Sequence, residues 1–252
     1  MKKTIKLKRL IRNLIVMAIY PRPLLGLIYL PKFFYHWLKF SRLSNNTRIK
    51  LIDVYPNLCD WVIETPFDPH YFYQSAWLAR QIGQQPPRKH VDVGSDVKLI
   101  GILSAFVETE FIDYRPLKTN LPSLHCKQGD ITSLDFETDS VASLSSLHVV
   151  EHIGLGRYGD PIDPTGSKRA LLELQRVVAP GGRLYISVPV GDERVCFNAH
   201  RVFYPRTIIQ LLSSMKIVSF SLVDDDGQYW SNCEVTKAND LYYGCGMFVF
   251  EK

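Results

Sequence analysis

The stretch that decides the fold is His90-Val91-Asp92-Val93-Gly94-Ser95-Asp96, in which a short apolar strand runs into a glycine turn. A second apolar stretch ends at Asp113, 21 residues beyond Asp92. A glycine turn lets the backbone approach a ligand closely, and an acid at about this distance accepts hydrogen bonds from the hydroxyls of a ribose. The spacing therefore predicts a nucleoside site at the ends of the first two strands. The alternative is that both acids only form turns.

Short apolar runs alternate with helix-like segments along the rest of the chain. The predicted strands are His90 to Val93, Glu110 to Asp113, Leu124 to Lys127, Val141 to Leu147, Arg183 to Val188, Lys216 to Val223 and Gly246 to Glu251. Helices are predicted from Tyr71 to Ile82, from Ser167 to Ala179 with a stop at Pro180-Gly181-Gly182, and from Pro205 onward. This alternation predicts an α/β fold, with a parallel sheet covered by helices on both faces.

The composition is that of a folded protein with a sizeable core. The chain has 252 residues, of which 46% are hydrophobic and 22% charged, so disorder, collagen and coiled coil are excluded. We predict three parts: a basic, apolar arm at residues 1–43, a connector at 44–70 and one large domain at 71–252. Five scattered cysteines, with no C-x-x-C pair, favour a reducing compartment, which we take to be the cytoplasm.

Charge is concentrated in the arm. The first 52 residues hold 12 Lys or Arg and no acid, whereas the rest of the chain is mildly acidic. The apolar run from Leu14 to Tyr20 is too short to cross a bilayer. We therefore expect residues 1–43 to attach peripherally to the inner face of a membrane, and we expect no nucleic-acid partner. The alternative is that the apolar residues of the arm pack on the main domain.

The turn after the first strand helps to choose the ligand. A dinucleotide needs a further glycine beside its pyrophosphate, but that position holds Asp96, whose charge repels phosphate. S-adenosylmethionine has no phosphate, and its cationic sulfonium and amino groups tolerate nearby acids. The sequence therefore favours S-adenosylmethionine over NAD as the cofactor.

The carboxyl-terminal half carries a family resemblance. In order along the chain stand Gly129-Asp130-Ile131, the run His148-Val149-Val150-Glu151-His152, Pro180-Gly181-Gly182 and Asn198-Ala199-His200-Arg201. Over residues 71–252 the sequence resembles the class I S-adenosylmethionine-dependent methyltransferases, and in detail their branch of unknown function, the domain of unknown function two hundred and sixty-eight. The resemblance implies a Rossmann-like, doubly wound, mostly parallel seven-stranded sheet with an antiparallel carboxyl-terminal strand. It also implies methyl transfer to a small-molecule or glycan acceptor.

The resemblance further implies cofactor-binding residues. Asp92 and Gly94 would shape the turn around the methionine part, Asp113 would hold the ribose, Asp130 would meet the adenine amino group, and Ser146 would line the ligand. The turn keeps only one of the family's glycines. An alternative function is therefore a non-catalytic binding module that has the same fold but has lost the cofactor.

Several groups are candidates for a catalytic base, which is needed if the acceptor must lose a proton. We predict His148, Asp160 and His200, each of which has a structural role as its alternative; Glu151 and His152 are weaker candidates. The spacing His148-x-x-Glu151-His152 also matches an inverted zinc motif, but it follows a strand instead of lying on a helix, so no metal is predicted. The Gly- and Pro-rich stretch from Gly154 to Gly166 is predicted to be a lid or an acceptor-binding loop, or else a long surface turn.

Overall fold

The computed structural model describes residues 26–43, 49–50, 53–115 and 117–252, and the chain divides into two compact units, Met1–Pro66 and Phe67–Lys252. In the first unit a 3-10 turn, Leu27–Tyr29, precedes helix α1, Leu30–Leu43. The apolar run predicted at 14–20 lies outside the described residues. Among the helices that are described, none has the length and hydropathy needed to span a membrane. The division into arm, connector and domain stays a prediction.

The described residues of the second unit form an eight-stranded sheet. The strands are β1 Lys89–Val93, β2 Glu108–Asp113, β3 Leu124–Gln128, β4 Val141–Leu147, β5 Val178–Val190, β8 Lys216–Val223, β9 Tyr229–Trp230 and β10 Gly244–Glu251. Their order in the sheet is β3-β2-β1-β4-β5-β10-β8-β9. The strands from β3 to β5 pair in parallel, and β10 pairs antiparallel with both β5 and β8. The predicted α/β, doubly wound fold is confirmed, with the two-residue β9 as an eighth strand.

Helices cover both faces of the sheet. They are α2 Pro69–Gln84, α3 Val97–Leu103, α4 Gly166–Val177 and α5 Pro205–Leu211. Each face has its own apolar core: Trp77 of α2 and Leu99 of α3 pack in one cluster, whereas Leu171 of α4 and Ile208 of α5 pack in the other. Because both faces are covered, the strands are buried on both sides, as expected for parallel strands.

The end of α4 and the start of β5 differ from the prediction. Helix α4 ends at Val177 and not at Ala179, and β5 begins at Val178, so Pro180-Gly181-Gly182 lies within the strand. The register between β4 and β5 shifts there, with Val141 opposite Val178 but Ser143 opposite Arg183. This irregularity accommodates the proline and glycines that otherwise end a helix.

A short hairpin that was not predicted follows β5. Its strands are β6, Arg194–Cys196, and β7, His200–Val202, and they pair antiparallel. Three-residue strands rich in Arg and His carry almost no periodic signal, which is why the pattern missed them.

The strand order reverses at β1, whose neighbours are β2 on one side and β4 on the other. Successive strands run outward in both directions from this point. The carboxyl ends of β1 and β4 therefore border a crevice, which is where open α/β sheets bind ligands.

Candidate active site

A cavity of about 310 Å³ lies at this crevice, which is within the size range of small-molecule sites. The segments that follow β1, β2, β3 and β4 all contribute to its wall. The wall includes Gly94, Asp113, Arg115, Asp130, His148, Val149, His152, Tyr158, Asp160 and Arg169. Of the eight residues predicted from the sequence, Gly94, Asp113, Asp130, His148 and Asp160 therefore meet around one cavity.

Gly94 lies in the tight turn that connects β1 to helix α3 and lines the cavity. Its φ is +76°, and its amide donates a 2.8 Å hydrogen bond to the carbonyl of Ile112 at the end of β2. A Cβ placed on Gly94 would lie 3.0 Å from Cγ1 of Val149. Both the backbone conformation and the close approach thus require glycine here.

Asp92 shapes this turn from the buried side. Its carboxylate accepts hydrogen bonds from the amide and the hydroxyl of Ser95, at 3.0 and 2.7 Å, and from the hydroxyl of Ser145. Burial raises the pKa of Asp92 to about 6, although the hydrogen bonds from the serines oppose the shift. Asp92 therefore acts on the turn and not on the cavity directly.

Asp96 stands where a dinucleotide site needs a further glycine. Its side chain accepts a 2.8 Å hydrogen bond from the amide of Lys98 and caps helix α3. Asp96 thus has a structural role at this position, because an N-cap aspartate satisfies an amide that has no partner within the helix.

Asp113 and Asp130 both line the cavity, at the ends of neighbouring strands. Asp113 accepts a 2.7 Å hydrogen bond from the amide of Arg115, and Asp130 accepts from the amide and hydroxyl of Thr132, each at 2.8 Å. A Cβ on Gly129 would lie 2.5 Å from Cγ2 of Ile112, so this glycine keeps the floor of the cavity close to β2. The two carboxylates are held by their own turns and face the same space.

Ser146 has a different position from these acids. It is fully buried, and its hydroxyl donates a 2.9 Å hydrogen bond to the carbonyl of Val93, which ties β4 to β1. The wall residues that come directly after β4 are His148 and Val149. The contact of Ser146 with a ligand stays a prediction.

His148 is held in an unusual conformation at the end of β4. Its φ is +53°, in the left-handed region that residues other than glycine rarely adopt. Its Nδ1 lies 2.6 Å from Oε1 of Glu151, and both residues are buried. Burial lowers the pKa of His148, but the charge of Glu151, the neighbouring Cys245 and the hydrogen bonds to both together outweigh burial and raise the pKa. The charge of His148 lowers the pKa of Glu151 against the effect of burial. The two groups form a buried ion pair.

A second cavity, of about 500 Å³, shares His148 and His152 with the first. Its wall also includes Asp68, His70, Tyr71, Glu151, Arg157, His200, Asp224, Asp225, Asp226 and Tyr243. The wall is therefore polar and carries both carboxylates and imidazoles. His200 lies here, and burial lowers its pKa, so its imidazole is neutral at pH 7 and can accept a proton.

Aromatic rings are stacked along the second cavity. His148 stacks between Tyr71 and His70, with ring centroids 5.4 and 5.5 Å apart, and His70 stacks in turn on Tyr243 at 5.2 Å. The ring of His200 also contacts that of Tyr243, with centroids 5.1 Å apart. The stack connects the first turn of α2 with the end of β4 and the hairpin.

Asp160 organises the loop from Gly154 to Gly166, which has no regular structure before α4, as predicted. Its carboxylate accepts hydrogen bonds from the amides of Gly154, Gly156 and Tyr158. A carboxylate engaged by three amides is poorly available as a base, so this geometry favours a positioning role over the predicted catalytic one.

Arg201 holds the same loop from the hairpin, and no role was predicted for it. It is buried, and its guanidinium donates to the carbonyl of Ile153 at 2.6 Å, to the hydroxyl of Ser167 at 2.7 Å and, at 3.4 to 3.5 Å, to the carbonyls of Asp163 and Pro164. The run Asn198-Ala199-His200-Arg201 marked this residue, but only the fold shows what it contacts. His70 and Tyr243, which come from the two ends of the domain, had no local signal.

Comparison with known proteins agrees with this fold. Residues 128–237 match the family described as Caenorhabditis protein of unknown function, DUF268. No curated protein has a significant sequence match. A solved structure of the complex between the Haloferax volcanii Trm112 methyltransferase activator and a candidate methyltransferase matches with 16% identity and a TM-score of 0.50, covering 73% of this chain and 90% of that one.

Two further structures are similar. The [4+2]-cyclase SpnF matches with 13% identity and a TM-score of 0.51, covering 71% of this chain and 80% of that one. A candidate methyltransferase from Bacillus halodurans C-125 matches with 12% identity and a TM-score of 0.50, covering 70% and 97%. At such identities the likeness shows the fold alone, and the cyclase illustrates that one fold carries different activities. The chain thus has the Rossmann-like fold of the class I methyltransferases, and it resembles DUF268 over residues 128–237.

Proposed function

We propose that this protein is an S-adenosylmethionine-dependent methyltransferase that acts on a small-molecule or carbohydrate acceptor. The observation that carries the proposal is the cavity at the strand-order reversal, with Gly94, Asp113 and Asp130 on its wall. These are the positions at which this fold binds an adenosyl group.

The chemistry of the cavity suits this cofactor. Asp113 can accept hydrogen bonds from ribose hydroxyls and Asp130 from the adenine amino group, and both carboxylates favour a cationic ligand. Two arginines also line the cavity, but each has an acidic partner: Arg169 lies 3.0 Å from Asp163, and Arg115 lies 3.8 Å from Asp113. Among the described residues, the cavity wall therefore offers no unpaired positive charge to a pyrophosphate, which argues against NAD.

The chain's own groups suit a displacement reaction. When bound, S-adenosylmethionine supplies an activated methyl group, whose transfer depends mainly on the alignment of the acceptor. The second cavity would hold that acceptor, since it shares His148 with the first. His200 is neutral and would accept a proton from it, whereas the charged His148 would hold its position through Glu151. Tyr158, from the loop at Gly154 to Gly166, would exclude water from the first cavity.

Titration calorimetry with S-adenosylhomocysteine tests the proposal, with NAD as the comparison ligand. We expect binding heat with S-adenosylhomocysteine and none with NAD. A folded protein that binds neither would refute cofactor binding and favour the non-catalytic module, for which the single glycine of the turn is the supporting observation. Binding of NAD alone would point to a dinucleotide enzyme.

The location of the protein is also part of the proposal. We place it in the cytoplasm, attached to an anionic membrane surface through residues 1–43. Support comes from helix α1, where Phe34, Leu38 and Phe40 are exposed beside Lys32 and Lys39. Flotation with anionic liposomes should be lost when residues 1–43 are removed, and equal flotation of both forms would contradict attachment.

A further inference from the structure

Three potential metal ligands meet beside the second cavity. His70 lies in the first turn of α2, His148 at the end of β4 and Cys245 on β10, and one ligand atom of each lies within 4.8 Å of the others. We propose that these three residues bind a zinc ion. The site does not depend on the proposed methyl transfer, and it differs from the inverted zinc motif that the sequence suggested.

His148 is the central ligand. Its Nδ1 is engaged by Glu151 at 2.6 Å, whereas its Nε2 is buried and makes no hydrogen bond of normal geometry among the described residues, the thiol of Cys245 being a further polar neighbour of the ring. His148 as a whole is 8% exposed, so water does not readily satisfy this atom. A buried polar atom without a partner is costly, and a bound metal is one explanation for it. A zinc-bound imidazole that donates its other N–H to a carboxylate is the common arrangement, in which Glu151 would orient the ring.

The carboxylate of Glu151 also favours a cation at this site. Its Oε2 is buried and makes no hydrogen bond among the described residues, as is also the case for Nε2 of His148. The carboxylate therefore keeps an acceptor atom that is not satisfied by the described part of the chain. A divalent ion on His148 would compensate the carboxylate as well as fill the vacant coordination of the imidazole.

His70 and Cys245 complete a donor set of two nitrogens and one sulfur. The ring of His70 stacks on that of His148 at a centroid distance of 5.5 Å, and the thiol of Cys245 is fully buried. Imidazole and thiolate together select zinc over magnesium or calcium, which prefer oxygen. On binding, the Cys245 thiol and Nε2 of the charged His148 would each release a proton to solvent, so that zinc meets a thiolate and a neutral imidazole that keeps its Nδ1–H towards Glu151.

The geometry leaves one coordination position open. Ligand atoms around tetrahedral zinc are about 3.5 Å apart, so the three side chains would have to close by about 1 Å. Three protein ligands with a vacant fourth position are typical of catalytic zinc sites. Both His70 and His148 line the second cavity, so the vacant position would be taken by water or by an oxygen, nitrogen or sulfur atom of the occupant.

By contrast, His152 does not belong to this site. Its Nδ1 lies 2.6 Å from the carbonyl of Ala199 in the hairpin connection, and it follows His148 through a 3-10 turn, Val150–His152, and not along an α-helix. The two histidines of the inverted motif therefore cannot present their nitrogens in the way that motif requires. The proposed site takes its second histidine from α2 instead.

Metal binding to the purified full-length chain tests the proposal directly. After chelation and dialysis, titration with zinc should give one ion per chain, and cobalt in its place should give the thiolate-to-cobalt charge-transfer absorption of a sulfur ligand. Cys245→Ser should abolish that absorption, and His70→Gln should weaken zinc binding at least tenfold. The matched controls His125→Gln and Cys126→Ser, on the distant strand β3, should leave both unchanged.

Circular dichroism shows whether each variant is folded, and His70→Gln, at a half-buried position, keeps the test decisive if Cys245→Ser does not fold. The proposal is overturned if the native chain binds no zinc, or if folded His70→Gln binds it as tightly as the native chain does. Because zinc is measured without S-adenosylhomocysteine, this result is separate from the test of cofactor binding.

Discussion

Nδ1 of His148 lies 2.6 Å from Oε1 of Glu151, and the two side chains are 5% and 0% exposed. An ion pair at this depth has little water to screen it. Each member keeps the other charged, and removal of either leaves an unpaired charge in the interior.

Glu151→Gln should therefore lower the free energy of unfolding by about 3 kcal/mol in the chain without metal. Because the pKa of Glu151 is lowered, its charge contributes fully to stability above the ordinary value of 4.5, and this contribution is lost at lower pH. Because the pKa of His148 is raised, its charge contributes fully below the ordinary value of 6.5, and this contribution is lost at higher pH. The difference between wild type and variant should thus be largest between these two pH values and shrink on either side. Urea unfolding across the pH range measures it.

The exposed pair of Glu108 and His125 provides the control for that experiment. Glu108→Gln should cost less than about 1 kcal/mol, because exposed ion pairs contribute little. A Glu151→Gln effect that is equally small, or independent of pH, would contradict the buried ion pair.

Asp113→Ala should weaken S-adenosylhomocysteine binding by about 1 to 3 kcal/mol through the loss of charged hydrogen bonds to the ribose. Glu108 lies at the other end of the same strand β2, so Glu108→Ala is the matched control and should bind normally. Calorimetry on both variants decides, and equal affinities would remove Asp113 from the site.

Gly94→Ala should destabilise the fold by about 1 to 2 kcal/mol and also abolish cofactor binding, since the methyl group would displace Val149, which lines the cavity. Gly181→Ala has the same positive φ, but its Cβ would meet no atom within 4 Å. Gly181→Ala should therefore lower the melting temperature in the same way but bind S-adenosylhomocysteine with unchanged affinity. Loss of binding in both variants would mean that global strain, and not the turn, is responsible.

Arg201→Lys should loosen the loop from Gly154 to Gly166, because an ammonium cannot reach the several oxygens that the guanidinium spans. We expect amide hydrogen exchange in this loop to speed up by about tenfold, equivalent to about 1.4 kcal/mol. Arg194→Lys, in the same hairpin, is the control, because Arg194 donates to Asp192 and Tyr242 instead. Unchanged exchange in Arg201→Lys would show that the loop is held by other contacts.

Much of the fold was predictable because the parallel strands are continuous apolar runs. The limits of Val141–Leu147 and Lys216–Val223 agree with the prediction to the residue. The end of α4 was misplaced because Pro180-Gly181-Gly182 usually stops a helix, whereas here it lies within an irregular strand. Local rules describe what such residues do most often, and tertiary pairing overrides them.

The candidate site was predictable only in part. Asp113 ends one strand and Asp130 follows the next, and the topology of a parallel sheet brings strand ends together, so their meeting around the cavity could be foreseen. His70 and Cys245 lie far from His148 along the chain, and no short-range pattern records that α2 and β10 approach the end of β4. The structural use of Asp160 was hidden for a similar reason, because it depends on how the loop folds back on its own amides.

The imidazole of His148 is a partition common to both cavities. A ligand that changes the charge or orientation of this ring from one cavity changes the affinity of the other cavity for its own ligand. Thermodynamic reciprocity then requires that two occupants change each other's affinity by an identical factor, whichever enters first. Saturation curves for either molecule should accordingly shift with the concentration of its companion.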